Sequence, residues 1–158
     1  MTPEQLTYQK KRIDNWDRVA RKTRQRRTGA FYHALLRRYY QFMVPPGQKV
    51  LELGCGSGDL LAALSPASGV GLDFSREMAL SARREHPGLH FICADAHNIP
   101  LKKQFDVIIL SDLINDLWDI QTVLENLHPL CHSGTRIIIN FFNNMWRLPI
   151  LIAKRLKL

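Results

Sequence analysis

Residues 50–58 read VLELGCGSG, and this stretch decides the fold of the chain. A short apolar run leads directly into three glycines at alternate positions, Gly54, Gly56 and Gly58. Glycine weakens the interior of a strand or a helix, so this spacing indicates a turn in which the backbone needs unusual freedom. The stretch therefore predicts a buried strand that ends in a glycine turn, with the acidic residue Glu52 two positions before the first glycine.

Strand-like and helix-like segments alternate after this turn. The predicted strands are 49–53, 69–73, 90–95, 105–112 and 135–142. The predicted helices between them are 59–65, 75–86 and 119–130, with Ser75 as the N-cap of the second. Because the strands are continuous apolar runs, both of their faces should be covered, which is typical of a parallel sheet with helices on each side. We therefore predict a doubly wound α/β domain.

The residues before the turn are predicted to be helical over 10–43, with a break near Gly29. In the second half of this segment, apolar side chains recur at helical spacing: Phe31, Leu35, Leu36, Tyr39 and Phe42. The VPPG stretch at 44–47 ends the helix. The predicted organisation is therefore N-terminal basic helices at 1–47, an α/β domain at 48–142 and a basic, apolar tail at 143–158.

The composition is that of one globular domain, with 158 residues, 46% apolar and 23% charged. The three cysteines are odd in number and form no CxxC pair, which argues against a disulfide framework and predicts a cytoplasmic location. The N-terminus lacks the apolar core of a signal peptide. No window approaches the roughly 18 uninterrupted apolar residues of a membrane span.

The net charge of +8 is unevenly distributed along the chain. Residues 1–49 carry a formal charge of +9, residues 50–140 carry −5 and residues 141–158 carry +4. The basic stretch at 10–27 could serve as a solvated helix face, as a contact with an anionic surface or acceptor, or as a contact with RNA. No recognised RNA-binding module accompanies it, so nucleic acid is not the expected partner.

Polar residues follow the predicted strands at the points where the strands end. Asp73 ends the second strand, Asp95 ends the third, and Ser111 and Asp112 end the fourth. In an open α/β sheet, ligands bind beyond the carboxyl ends of the strands. The glycine turn and these residues therefore predict a single acidic crevice at one edge of the sheet.

Two ligand classes fit a glycine turn of this kind. A dinucleotide fingerprint has the spacing GxGxxG and an acid about 20 residues further on, a distance that Asp73 satisfies. The third glycine of that fingerprint would fall at Asp59, however, whose carboxylate would repel a pyrophosphate. The second class is an adenosyl ligand without phosphate, whose positive charge suits an acidic crevice.

The stretch ELGCGSG at 52–58 resembles the first motif of class I (Rossmann-like) S-adenosylmethionine-dependent methyltransferases. The stretches GLDFS, CADAHNIP and FDVIILSDLIND resemble the later motifs of that family, in the same order. NWDRVA, near the N-terminus, is similar to the opening helix of the subgroup with quinone-biosynthesis methyltransferases. The resemblance covers roughly 14–142. It implies a mainly parallel sheet of order 3-2-1-4-5 in a fragment that lacks the two C-terminal hairpin strands.

The resemblance also implies a cofactor, S-adenosyl-L-methionine, with S-adenosyl-L-homocysteine as the product. It places the cofactor amino group near Glu52, the ribose hydroxyls on Asp73 and the adenine amino group on Asp95. Phe74 or Met78 would pack on the adenine ring. The full set of implied cofactor-binding residues is Glu52, Gly54, Cys55, Gly56, Gly58, Asp73, Phe74, Met78, Asp95, Ala96 and Ser111.

Methyl transfer mainly requires the acceptor, the methyl group and the sulfur to lie in line. A general base is needed only when the acceptor carries a proton that must leave early. The candidate catalytic residues are Asp112 and Asn115, just past the fourth strand. A structural hydrogen-bonding role for Asp112 and a helix-capping role for Asp116 or Asp119 remain alternatives. No metal site is expected.

The expected methyl acceptor is a small or lipid-like molecule, and Tyr39 and Tyr40 could line its pocket. The tail could lie on a membrane surface, and an exposed fifth strand could support self-association. Two other functions remain open. The chain could be a non-catalytic cofactor-binding or interaction module of a larger protein, or a nicotinamide-dependent oxidoreductase.

Overall fold

The structure is a computed structural model that describes residues 2–23, 30–141 and 155. The helices are α1 (Pro3–Thr23), α2 (Ala30–Met43), α3 (Asp59–Ala63), α4 (Arg76–Glu85) and α5 (Ile120–Leu127). The strands are β1 (Lys49–Leu53), β2 (Ser68–Asp73), β3 (His90–Cys93), β4 (Phe105–Ser111) and β5 (Cys131–Asn140). Two short 3-10 segments, Ile114–Asp116 and His128–Leu130, stand on either side of α5.

The five strands form one parallel sheet of order β3-β2-β1-β4-β5. This confirms the predicted fold class and strand order. Because all strands run the same way, their carboxyl ends meet at one edge, which we call the carboxyl edge of the sheet. The glycine turn leaves β1 at the centre of this edge.

Both faces of the central strands are buried, which explains why β1 and β4 are continuous apolar runs. One face packs against α5 through Val123 and Leu127. The opposite face packs against α2, α3 and α4, with Tyr40, Leu61 and Ala82 in the same cluster. The helices therefore hold the sheet from two sides and leave the carboxyl edge for the loops.

Helix α1 begins at Pro3, so the predicted start at residue 10 was wrong. The side-chain oxygen of Thr2 accepts a hydrogen bond from the backbone N–H of Gln5 (3.3 Å), and the Gln5 side chain accepts one from the Thr2 N–H (2.7 Å). This is a capping box, with Pro3 at the first helical position. The predicted break near Gly29 lies outside the described residues.

Several other boundaries differ from the predictions. β3 and β4 end before Asp95 and Asp112, and α5 ends at Leu127. β5 begins at Cys131 instead of residue 135, because Cys131 already pairs with Phe105 and the register then shifts between Phe105 and Val107. Residue 142 and all of the 143–158 tail except residue 155 lie outside the described residues. None of the described helices has the length and hydropathy of a membrane span.

Two predicted helix caps are confirmed. The Ser75 hydroxyl accepts a hydrogen bond from the backbone N–H of Met78 (3.2 Å) and begins α4. The Asp119 carboxylate accepts one from the backbone N–H of Thr122 (3.1 Å) and begins α5. These caps fix where α4 and α5 begin, and each helix begins after the loop that leaves a strand at the carboxyl edge.

Candidate functional site

The glycine turn between β1 and α3 has a backbone that only glycine adopts easily. Gly54, Gly56 and Gly58 have φ angles of +68°, +52° and +77°. The backbone N–H groups of Gly54 and Cys55 both donate to the carbonyl oxygen of Leu72, at 2.7 and 3.2 Å. The turn is therefore held on β2, in a conformation that costs other residues roughly 1–2 kcal/mol each.

The surroundings of the three glycines differ. A Cβ atom on Gly54 would lie 2.8 Å from Leu113 Cδ1, and one on Gly58 would lie 2.5 Å from Phe91 Cζ. A Cβ atom on Gly56 would meet no atom within 4 Å. Gly54 and Gly58 therefore leave room for the side chains of Leu113 and Phe91. Gly56 instead exposes its backbone to open space, where a ligand could approach.

This difference predicts unequal stability losses for Gly58→Ala and Gly56→Ala. Gly58→Ala should lower the free energy of unfolding by about 3 kcal/mol, because the left-handed φ adds to a clash with the buried Phe91 ring. Gly56→Ala should lose only about 1–2 kcal/mol, from its φ alone. Urea unfolding of both variants measures the difference, and equal losses would contradict the role given to Phe91.

Asp73 ties the glycine turn to the start of α4. Its side chain is only 6% exposed. Its Oδ2 atom accepts a hydrogen bond from the backbone N–H of Gly56 (2.9 Å), and its Oδ1 atom accepts one from that of Ser75 (2.8 Å). Burial raises the pKa of Asp73, and the two backbone donors oppose that rise. Each oxygen keeps a further lone pair for a ligand hydroxyl.

Glu52 is a buried acid with an unused oxygen. Its side chain is 3% exposed, and the backbone N–H of Leu61, in the first turn of α3, donates to it. The Oε2 atom has no hydrogen-bond partner among the described residues. Burial raises the pKa of Glu52 to about 8, and the nearby Asp73 adds to the rise. A cationic or hydrogen-bonding ligand group at Oε2 would supply the partner that this buried oxygen lacks among the described residues.

Asp95 follows β3 and lies in a hydrogen-bond network of its own. Its Oδ1 atom accepts from the backbone N–H of His97 (2.9 Å) and contacts His97 Nδ1 (2.7 Å). The backbone N–H of Asp119 donates to His97 Nε2 (3.2 Å), which assigns the ring proton to Nδ1. His97 therefore connects Asp95 to the start of α5. The Oδ2 atom of Asp95 accepts from the side-chain amide of Gln9.

Asp112 stands just past β4 in a left-handed conformation, with φ +53°. Its carboxylate accepts hydrogen bonds from the Tyr32 hydroxyl (2.8 Å to Oδ2) and from Asn140 Nδ2 (2.9 Å to Oδ1). The Tyr40 hydroxyl donates to Asn140 Oδ1 at 2.5 Å. Burial and the neighbouring Asp112 raise the pKa of Tyr32 well above its usual range. These contacts hold a strained residue in place at the carboxyl edge.

The tyrosines of α2 act differently from the sequence-based expectation. Tyr40 is fully buried, so it reaches Asn140 rather than lining a pocket, and Tyr39 is exposed. Tyr32 of α2 reaches the carboxyl edge at Asp112, a contact that was not predicted from the sequence. Nothing in the local sequence of α2 indicates this role of Tyr32, because its partner Asp112 lies 80 residues further along the chain.

Helix α1 lies across the carboxyl edge. Besides the contact of Gln9 with Asp95, the hydroxyl of Ser75 donates to the Asp17 carboxylate. Asp116, after β4, pairs with the Arg12 guanidinium and accepts a hydrogen bond from Trp16 Nε1 (2.6 Å). One helix therefore contacts residues that follow β2, β3 and β4.

The other predicted site residues lie around the same edge with different exposures. Cys55, Met78 and Ala96 are buried, Phe74 and Ser111 are half-buried, and Asn115 is exposed in the 3-10 segment after β4. Burial raises the pKa of the Cys55 thiol well above its ordinary value, so its place at a helix start does not make it a thiolate. Two cavities of the described part of the chain lie away from this edge, one beside α5 and one beside β3.

A family model described as "Methyltransferase domain" matches residues 50–134. A demethylmenaquinone methyltransferase of Streptomyces avermitilis is 31% identical over 102 residues, which are 63% of this chain and 44% of that protein. Phthiotriol/phenolphthiotriol dimycocerosates methyltransferase 1 of Mycobacterium ulcerans is 41% identical over 70 residues, which are 40% of this chain and 26% of that protein. The chain therefore spans less than half the length of these curated relatives.

Solved structures share the fold. The plantazolicin methyltransferase BpumL, in complex with a monoazolic desmethylPZN analogue and SAH, has a TM-score of 0.71 at 22% identity. That match covers 92% of this chain and 66% of BpumL. A putative methyltransferase in complex with the Haloferax volcanii Trm112 methyltransferase activator has a TM-score of 0.67 at 25% identity, over 78% of this chain and 58% of its own.

Proposed function

The chain belongs to the family of methyltransferase domains, and from this premise we propose that it binds S-adenosylmethionine beside the glycine turn and transfers the methyl group to a small or lipid-like acceptor. The observation that carries the proposal is the open backbone at Gly56, with the buried acids Glu52 and Asp73 on either side of it along the chain. The methyl group and its activating sulfonium would come from the cofactor.

The charge of the carboxyl edge favours an adenosyl ligand over a dinucleotide. Asp73, Asp95 and Asp112 all lie at or near the strand ends, where they would attract a sulfonium and an ammonium group. Glu52 lies at the same edge and would ionise beside a bound ammonium group. Asp59 occupies the first turn of α3, where a pyrophosphate would have to bind. An anionic dinucleotide would meet these carboxylates without a compensating cation in the glycine turn.

Each proposed cofactor contact uses an atom that still has hydrogen-bonding capacity or that could exchange a protein donor for a ligand donor. The spare lone pairs of Asp73 would accept from the ribose hydroxyls, and Glu52 Oε2 would serve the amino group. Asp95 would accept from the adenine amino group in exchange for the amide of Gln9, which carries the same kind of N–H donor. Phe74 or Met78, with the backbone of Ala96, would hold the ring.

The acceptor would bind at the end of β4, close to Asp112 and Asn115. Tyr32 and Asn140 fix the direction of the Asp112 carboxylate, which is the arrangement that positioning of a polar acceptor requires. Oδ2 accepts only from Tyr32 among the described side chains, so it keeps capacity for an acceptor hydroxyl or amine. Asp112 would therefore orient the acceptor and receive its proton where one must leave.

We also propose a cytoplasmic location, self-association and a lipid-like acceptor. All three cysteines are free, which supports a reducing, cytoplasmic location. β5 is an outer strand of the sheet, so self-association along its free edge remains a proposal. The relatives named above support a lipid-like acceptor, since two of them are named for demethylmenaquinone and for phthiotriol/phenolphthiotriol dimycocerosates.

Isothermal titration calorimetry with S-adenosylmethionine, S-adenosylhomocysteine and NAD⁺ tests the proposal. We expect both adenosyl ligands to bind and NAD⁺ to release no binding heat. Gly56→Ala should keep the fold and weaken adenosyl binding by about tenfold or more, because its methyl group fills the open space beside the turn. Binding of NAD⁺ without binding of either adenosyl ligand would reject the proposed function.

A further inference from the structure

Helix α2 has an apolar face that points away from the protein. The side of α2 that packs on the sheet buries Tyr40. On the opposite side, four large apolar side chains are exposed, and Phe31 and Phe42 reach 83% and 89% exposure. Their spacing of four, four and three residues aligns them along the helix axis. We call this set the outer stripe: Phe31, Leu35, Tyr39 and Phe42.

The outer stripe lies in a segment of the chain that contains no acid. Residues 18–51 include nine lysines and arginines and not one aspartate or glutamate. Arg38 is exposed and stands seven residues after Phe31, which places it beside the stripe on the same side of the helix. The exposed face of α2 therefore combines aromatic rings with positive charge, and the helix has no carboxylate of its own.

We propose that the outer stripe docks on the surface of a membrane that contains anionic lipids. A helix with aromatic and aliphatic side chains on one face lies in the plane of the interface, with that face in the headgroup and acyl boundary. The phenol of Tyr39 suits the interfacial layer, and the long side chain of Arg38 can reach lipid phosphates. The absence of acids removes the charge that anionic lipids would repel.

Two other occupants match the surface less well. In a two-fold dimer the same patch would face its own copy, so the acid-free segments of both copies would meet and repel. An RNA surface would demand cations at the centre of the patch, where this helix has two phenylalanines. A bilayer satisfies the apolar centre and the positive charge together.

Docking of α2 would also orient the rest of the domain. Tyr32 is on the same helix and donates to Asp112 at the end of β4. A docked α2 would thus hold the carboxyl edge close to the lipid. The proposal needs no bound cofactor, so its test is independent of the proposed function.

Vesicle flotation of the 158-residue chain tests the proposal. The probes are vesicles of phosphatidylcholine alone and vesicles that also contain phosphatidylglycerol. The variant Phe31→Ser/Phe42→Ser removes the two most exposed rings of the stripe, and Arg38→Gln removes its charge. The matched control, Leu6→Ser/Phe141→Ser, removes exposed apolar side chains from α1 and from the residue after β5. Circular dichroism establishes that each variant is folded.

We expect the parent chain and the control to float with the vesicles that contain phosphatidylglycerol and much less with phosphatidylcholine alone. The double stripe variant should bind about tenfold more weakly, and Arg38→Gln should lose part of the preference for anionic lipid. Absence of binding by the parent chain, or equal binding by the stripe variant, would overturn the proposal. So would a dimer in light scattering that the stripe variant dissociates while no form binds vesicles.

Discussion

Asp73→Asn is expected to weaken the binding of S-adenosylhomocysteine by about a hundredfold. The Asp73 carboxylate already accepts two backbone hydrogen bonds and offers its remaining lone pairs to the ligand. Asparagine keeps one oxygen and places an NH₂ group where the second oxygen accepted. The loss of one hydrogen bond to a charged group, together with the weakening of the other to a neutral one, corresponds to about 3 kcal/mol, which is about a hundredfold in affinity. Calorimetric titration of parent and variant measures the change.

Stability must be followed in the same variant, because Asp73 also holds the fold. One of the two backbone N–H groups, of Gly56 or Ser75, loses its acceptor in Asp73→Asn, and Asp73→Ala would remove both. Urea unfolding shows whether the variant is folded at the titration temperature. Asp106→Asn is the matched control, since that carboxylate lies at the opposite edge of the sheet and bonds to Lys49. Unchanged affinity in a folded Asp73→Asn protein would disprove the proposed ribose contact.

Glu52→Gln is expected to remove a large part of the pH dependence of stability. The pKa of Glu52 is raised from 4.5 to about 8 in the folded chain. Between these values the folded state keeps a proton that the unfolded state has lost, so the free energy of unfolding of the parent falls as pH rises. The slope is about 1.4 kcal/mol per pH unit, and the total is roughly 5 kcal/mol. Above the upper pKa, the variant should therefore be the more stable protein.

Denaturant unfolding between about pH 4.5 and about pH 9 measures this effect. The difference between parent and variant should be small at the acid end and should grow up to about pH 8. Burial also raises the pKa of Asp73, which gives the variant a residual slope of the same sign. Glu85→Gln, which neutralises an exposed carboxyl group, should follow the parent. A constant difference across the pH range would show that Glu52 is ionised in the folded chain throughout.

The sheet was predictable because its signals are local. Continuous apolar runs at β1 and β4, and the glycines after β1, specify buried parallel strands and the turn between them. The caps at Ser75 and Asp119 were predictable for the same reason, since a capping side chain bonds to a backbone N–H three residues away. The capping box of Thr2 and Gln5 was equally readable in TPEQ, although the predicted helix began later.

The parts that were not predictable depend on partners far along the chain. Helical spacing identified an apolar face on α2, but spacing alone cannot decide which of two apolar faces packs on the sheet. Tyr40 is buried because Asn140 and the sheet meet it, and those contacts span 100 residues of sequence. The early start of β5 was hidden by polar residues and Gly134, which accompany the irregular pairing with β4. The roles proposed for individual site residues stay predictions until binding is measured.

The position of α1 has a consequence for the kinetics of the proposed reaction. The helix holds Asp95 through Gln9 and Ser75 through Asp17, and its side chains also engage Asp116. A nucleoside that takes over Asp95 must first break the Gln9 contact, so ligand entry would wait for the helix to lift. The observed association rate constant would then become independent of ligand concentration at high concentration. The apparent affinity would be the intrinsic affinity multiplied by the fraction of molecules in which the helix is lifted. Under the proposed function, this positively charged N-terminal helix would act as a gate that sets how fast the domain exchanges product for fresh cofactor.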